Sequence, residues 1–130
     1  MQLKKFRSRA AFTLVEIMIV VAIIGLLAAI AVPNLLRARE KTQLSLIQNN
    51  LRLIDNAKQS WALENNQPSS ASPTSEQLAP YFNKGKFPGG SVGETYNIGK
   101  VNESATASLP AGETLTGLTG PFDSEGEVAP

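Results

Sequence analysis

The stretch FTLVEIMIVVAIIGLLAAIAVP, residues 12–33, decides how the rest of the chain is read. From Ile17 to Val32 no side chain is charged or polar. As one helix, residues 12–32 rise roughly 31 Å at ~1.5 Å per residue, about the thickness of a bilayer's hydrocarbon core. One acid, Glu16, stands inside the apolar stretch. Pro33 closes it. Proline has no amide hydrogen and crowds the preceding turn, so a kink or an interruption of the helix is expected there.

Charge is lopsided around this segment. Lys4, Lys5, Arg7 and Arg9 give residues 1–11 a charge of +4 with no acid, while the other 119 residues hold 8 bases against 11 acids. The whole chain of 130 residues is nearly neutral at +1 and only 18% charged, which leaves no basic–aromatic patch for nucleic acid. There is no His and no Cys, so imidazole acid–base chemistry, thiol nucleophiles, disulfides and the commonest metal ligands are absent. No nucleophile–base pair and no glycine-rich phosphate loop appears either. The chain reads as the substrate of an enzyme rather than as an enzyme, with no catalytic residue, no metal and no cofactor.

Three readings compete for residues 12–33. A secretory signal peptide would have its basic start, its apolar centre and a small-x-small site at Ala29-Ile30-Ala31, releasing a soluble domain from Val32. A retained single-span anchor would place the N-terminus in the cytoplasm, since four bases precede the span and Arg37, Arg39 and Lys41 follow it. Neither explains Glu16 unless it lies in the headgroup region or is neutralised by the leader bases, because an acid inside a spanning helix is costly and usually has a partner of opposite charge. A cut just before Phe12 supplies one. The new α-amino group, with an ordinary pKa of ~7.7–8, lies one helical turn from Glu16 or against the Glu16 of a neighbouring copy. The same cut removes all four leader bases, so that apolar helices can leave the bilayer and bundle.

The basic leader, Ala11, the run Phe12-Thr13-Leu14-Val15-Glu16, the apolar stretch and Pro33 together resemble the type IV prepilins and type II secretion pseudopilins. The resemblance implies cleavage of the 1–11 leader before Phe12 by an inner-membrane prepilin peptidase, N-methylation of Phe12, and assembly into a helical filament through residues 12–33. Ala11 and Phe12 are then the processing and methylation residues, and Glu16 and Pro33 the assembly residues. The implied partners are other copies of the chain, the peptidase, an inner-membrane assembly platform and, before assembly, the inner membrane itself, with the head outside the cytoplasm. The finished filament belongs in the periplasm or at the cell surface. One residue departs from the family pattern: Ala11 stands where glycine is usual.

Beyond Pro33 a helical period resumes. Leu44, Ile47, Leu51, Ile54 and Trp61 fall on one face, widened by Leu46, Leu53 and Ala57, while Lys41, Gln48, Arg52, Asn56 and Gln59 fill the opposite arc. Asn50 and Lys58 interrupt the apolar face, which therefore need not be wholly dry. The helix is expected to fade at residues 65–67, ahead of Pro68. A helix from Phe12 to about Asn66 is ~80 Å long, far more than so small a remainder can cover. Its first half must be buried by lipid or by other subunits, in an open heterologous arrangement if by subunits.

Residues 67–73 read as a Ser/Pro linker, followed by a short helix capped at Thr74 or Ser75. Tyr81, Phe82 and Phe87 are expected to pack on the long helix. A Pro88-Gly89-Gly90 turn leads to a half-buried strand through Tyr96 and Ile98, with Ala105–Leu109 as its partner. The sequence from 47 to 66 and the Gly-Gly turn before a Tyr-bearing strand also resemble a group of very short pilin-like proteins, whose members often carry a cysteine pair that this chain lacks. In residues 102–130, 14 of 29 are Gly, Pro, Ser or Thr, five are acidic and none basic, so a polar, mobile tail is expected. Asp123, Glu125 and Glu127 are oxygen donors a calcium ion accepts, but their spacing is that of no EF-hand and solvated charge is the simpler reading. The expected fold is α+β: a long kinked N-terminal helix, transmembrane over 12–33 and amphipathic over 34–66, with a short helix and a small antiparallel sheet over 67–101 as its head. The working role is a pilin or pseudopilin; the alternative is a single-span anchored or secreted small domain that never polymerises.

Overall fold

The computed structural model describes residues 11–118 and 120–126. Its elements are α1 (Leu14–Glu64), α2 (Ser75–Leu78), a 3₁₀ turn (Ala79–Tyr81), β1 (Thr95–Asn97) and β2 (Thr106–Ser108). The fold is α+β, a 51-residue N-terminal helix followed by a two-stranded antiparallel sheet. Residues up to Leu36 and residues from Arg37 onward form two compact units.

In the first unit α1 passes through Pro33 without a break. The expected interruption does not occur. Proline removes one donor and leaves the carbonyl a turn earlier unbonded, which an apolar helix tolerates. At its far end α1 stops as the sequence leads one to expect. Asn66 takes the left-handed conformation at φ +50°, and the Gln67 amide donates back to the Ala62 carbonyl at 2.9 Å, a helix-terminating arrangement that favours Gly or Asn.

The second unit is built on one stripe of α1. Ile47, Leu51, Ile54, Ala57 and Trp61 are buried, at spacings of three and four, and Leu78, Val101, Ala105, Ala107, Leu115 and Phe122 close over them. Leu46 and Leu53, expected to widen the stripe, are instead 50% and 44% exposed. Each lies about 100° around the helix from the buried residue that follows it, and so small a head covers only the narrow stripe. Tyr81, Phe82 and Phe87 are half-buried against this core as expected. Phe87 joins Phe82 (5.6 Å between ring centres) and Tyr96 (6.2 Å) edge to face.

Thr74 caps α2 with a reciprocal pair: its hydroxyl accepts from the Gln77 amide, and the Gln77 side chain accepts from the Thr74 amide at 2.9 Å. Residues 67–73 are not a free linker, because the Val101 and Asn102 amides donate to the Ala71 and Ser69 carbonyls, each at 3.0 Å. β1 and β2 pair in the register Thr95↔Ser108, Tyr96↔Ala107, Asn97↔Thr106. The strand is shorter than residues 94–101, since Glu94 belongs to the turn before it and Gly99, at φ +66°, turns the chain away after it.

The expected polar tail is also corrected over its described part. Phe122 is fully buried and exchanges two backbone hydrogen bonds with Ala107, 2.8 and 2.9 Å, on the edge of β2 away from β1. Leu115 and Leu118 face each other across Thr116-Gly117, whose φ values of +50° and +87° are those of a tight two-residue hairpin turn. The glycines and threonines that suggested mobility serve here to reverse the chain, delivering three large apolar residues to the core. Residues 127–130, the end of that tail, lie outside the described residues.

Candidate assembly surface

Ala11, Phe12 and Thr13 precede the first turn of α1, and all three are exposed, Phe12 at 82%. The rest of the leader, residues 1–10, lies outside the described residues. Thr13 and Glu16 form a reciprocal cap at the head of α1. The Glu16 carboxylate accepts the Thr13 amide at 3.0 Å, and the Thr13 hydroxyl accepts the Glu16 amide at 3.2 Å. This is the capping box that Thr-x-x-Glu before an apolar run announces. The signal is local and lies beside the charge of Glu16 in the same four residues. A carboxylate has two oxygens and about four lone-pair sites, so the cap leaves capacity for an ammonium beside it.

From Leu14 to Leu36 every side chain is exposed. Fifteen of them are large and apolar, and they circle the helix rather than forming a stripe. The helix is long and apolar enough to cross a membrane, and none of its apolar stretch is buried among the described residues. Gly25 has no neighbour within 4 Å of where a Cβ would stand, so nothing in this chain requires a glycine there. Glu16 and Pro33 mark the two ends of this bare surface, and Ala11 and Phe12 lie just before it.

Of the polar residues that interrupt the apolar stripe, Lys58 is buried and Asn50 is half-buried, and both have partners. Asn50 donates to the Tyr96 hydroxyl at 3.0 Å, which donates to Glu94 at 2.7 Å. Glu94, only 5% exposed, also accepts the amides of Ser91 (2.9 Å) and Val92 (2.8 Å). Burial pushes its carboxyl up, but the Val92 and Ser91 amides and the Tyr96 hydroxyl outweigh it, leaving Glu94 below the usual carboxylate range. Burial and the Glu94 carboxylate push the Tyr96 phenol well above its usual value, against the Asn50 hydrogen bond. Lys58 is fully buried beneath residues 98–103. No signal in the sequence beyond a polar residue on an apolar face pointed to these partners.

A groove of about 540 Å³ runs between the 50–60 part of α1 and residues 81–89. Leu53, Phe82, Lys84 and Lys86 are among the residues that line it. Asp123 closes a turn of its own, its carboxylate accepting the Glu125 amide at 2.9 Å. Glu127 lies outside the described residues, and among those described no three His, Asp or Glu side chains converge as a metal site would require.

Residues 6–32 match the prokaryotic N-terminal methylation motif. The chain is 39% identical over 75 residues to the type II secretion system core protein G of Vibrio cholerae, an alignment covering 58% of this chain and 49% of that protein. It is 43% identical over 65 residues to the type IV major pilin protein PilA of Myxococcus xanthus, covering 49% and 30%. With a fimbrial protein of Pseudomonas aeruginosa the identity is 32% over 117 residues, covering 85% of this chain and 76% of that one. The chain thus spans about half the length of the secretion core protein and less of PilA. No solved structure matches it significantly. With the methylation motif on its bare apolar helix and three quarters of a fimbrial protein spanned at 32% identity, the chain belongs to the pilin and pseudopilin family.

Proposed function

We propose that this chain is a structural subunit that polymerises through residues 12–33 into a type IV pilus or a type II secretion pseudopilus, after its leader is cut between Ala11 and Phe12. The observation that carries this reading is the bare helix. Fifteen large apolar side chains between Leu14 and Leu36 are left exposed by the described residues. At ~1.5–3 kcal/mol each, their burial is worth roughly 20–45 kcal/mol, so they belong in lipid or against other copies. A filament of identical subunits supplies the second environment, and a membrane the first while the precursor waits.

Each site residue then has a role. A prepilin peptidase cuts between Ala11 and Phe12, and Phe12 is N-methylated. The cut frees the Phe12 amine at the turn where Glu16 sits, and removes the leader bases that hold the N-terminus on the cytoplasmic side. Glu16 pairs with the N-terminal ammonium of an adjacent subunit, an ion pair strengthened by its low-dielectric surroundings. Pro33 leaves one carbonyl of the helix unbonded where the segment ends, the place where a helix can bend during packing. The precursor sits in the bacterial inner membrane, is handled by an assembly platform, and leaves as a filament in the periplasm or at the surface.

One observation favours the other reading, a single-span anchored domain that does not polymerise. Thr13 already satisfies Glu16 within the chain, so the acid has a use without a neighbour. Two substitutions separate these roles. Glu16→Gln keeps the reciprocal cap, which Gln also makes, but loses the charge; Glu16→Ala loses both. If assembly needs the charge, both variants insert in the membrane and neither yields filaments. Filaments from Glu16→Gln at the level of the unaltered chain would show that the cap alone matters and that the charge-pair reading is wrong. The intact mass and N-terminus of the native protein, expected to begin at methylated Phe12, test the processing step separately.

A further inference from the structure

Lys58 sits on the core-facing stripe of α1 between Ile54 and Trp61, and its side chain is wholly excluded from solvent. A buried ammonium is tolerated only when its donors are taken up, and here the uptake is complete. Its Nζ lies 2.9 Å from the Ile98 carbonyl, 3.1 Å from that of Lys100 and within hydrogen-bond reach of that of Glu103, and 2.8 Å from the Asp55 carboxylate. The same Asp55 oxygen accepts the Ala105 amide at 2.9 Å. Among the described residues no buried side-chain nitrogen or oxygen is left without a partner. Residues 98–105 form no regular element on their way from β1 to β2. Their carbonyls converge on one cation, as the left-handed turn at Gly99 allows.

We infer that Asp55 and the carbonyls of residues 98, 100 and 103 form a cation cradle selective for a primary ammonium, and that Lys58 is its tethered occupant. Two carbonyls and one carboxylate at 2.8–3.1 Å, with the Glu103 carbonyl nearer as a fourth oxygen, suit N–H donors. Calcium sits closer to its oxygens, at ~2.3–2.6 Å, and takes six to eight of them. The tethered ion closes the loop between the strands in a chain that has no cysteine to close it with. Shortening Lys58 empties the cradle, which then takes a small alkylammonium ion from solution. The 240 Å³ depression bordered by Asp55, Gln59 and residues 101–104 is the way in.

The test uses the full chain in detergent micelles, reading amide hydrogen exchange at residues 98–105 together with the thermal midpoint from Trp61 fluorescence. Lys58→Met keeps the apolar stem and removes the charge. With the Ile98 and Glu103 carbonyls deprived of their donor and the Asp55 charge uncompensated, exchange at 98–105 should quicken about a hundredfold or more. In Lys58→Ala, n-propylammonium replaces the missing atoms from Cγ to Nζ and should restore both readouts saturably. At equal concentration 1-propanol, which has no charge, and tetramethylammonium, which has no N–H, should not. The unaltered protein should melt at the same temperature with calcium or with a chelator. If Lys58→Ala is unfolded alone, folding only with propylammonium is the same positive result. The inference is overturned by wild-type protection in Lys58→Met, by equal action of the three additives, by failure of all of them, or by a chelator that lowers the wild-type midpoint.

Discussion

Replacing Phe122 with Ala removes the largest fully buried apolar side chain of the head, and one contributed by a segment whose composition suggests mobility. A phenylalanine ring removes about 150–200 Å² from water, worth roughly 4–5 kcal/mol at ~25 cal/mol per Å², in line with the ~3–5 kcal/mol typical of Phe→Ala in cores. The two backbone bonds between Ala107 and Phe122 do not depend on the side chain and soften the loss without cancelling it. For a domain the size of the head, each kcal/mol shifts the thermal midpoint by ~4–8 °C, so a fall of about 15–40 °C is expected. The assay is the fluorescence of Trp61, the only tryptophan and a buried one, during heating of the full chain in micelles. Helical circular dichroism is a poorer probe, because the apolar half of α1 stays helical in detergent. Glu125→Ala, an exposed change in the same segment, should shift the midpoint by no more than ~0.5 kcal/mol equivalent. If Phe122→Ala melts within about 2 °C of the unaltered protein on a scale of ~4–8 °C per kcal/mol, the segment does not dock and the account of the head is wrong.

Gly90→Ala should lower the urea midpoint by the equivalent of ~1–3 kcal/mol, since the new Cβ would stand 2.8 Å from the Glu94 carbonyl oxygen, closer than real contacts come. The Glu94 carboxyl is depressed in the folded head relative to its ordinary 4.5, so the stability it confers is present above about pH 4.5 and is lost as pH falls through its folded value. Urea midpoints measured from pH 6 downward, a range around the ordinary carboxylate value, should therefore decline more gently in Glu94→Gln. They should not become flat, because the Lys100 amide and side chain depress Glu103 in the same direction. Equal slopes in the two proteins would refute this role for Glu94. Asn66→Gly should raise the thermal midpoint slightly and Asn66→Ala lower it by the equivalent of ~1 kcal/mol, because φ +50° costs a side chain more than it costs glycine; identical midpoints would contradict the left-handed helix end.

How much could be read in advance depends on how far apart the interacting residues lie. The termination of α1 at 65–67 and the cap at Thr74 are signalled by residues within a few positions of one another, and each was legible; the strand partners lie 9 to 13 residues apart, and only the alternation around Tyr96 marked them plainly. The cap between Thr13 and Glu16 is just as local, and Thr-x-x-Glu before an apolar run is its signature. Gly112, Thr116, Gly117 and Gly126 misled in the opposite direction. As a composition they resemble a disordered tail; in place, the positive φ values at Gly112, Thr116 and Gly117 are the reversals that return Leu115 and Phe122 to the core, and that at Gly126 turns the chain again after Phe122.

The sequence by itself determined a helix too apolar for water and too long for its own head to cover, with an acid near its start and a proline where the apolar run ends. Those properties follow from side-chain chemistry and the helical repeat alone, and they carry the family assignment and the proposed assembly. Only the tertiary structure decided where the buried polar groups find partners. Asn50 meets Tyr96, Lys58 meets residues 98, 100 and 103, and Asp55 meets Ala105, across separations of 40 to 50 residues. A charge on an apolar face is consistent with a wet surface, a subunit contact or a closed cradle. The choice among them is made by a loop distant in sequence, whose backbone carbonyls carry no mark in the amino-acid code.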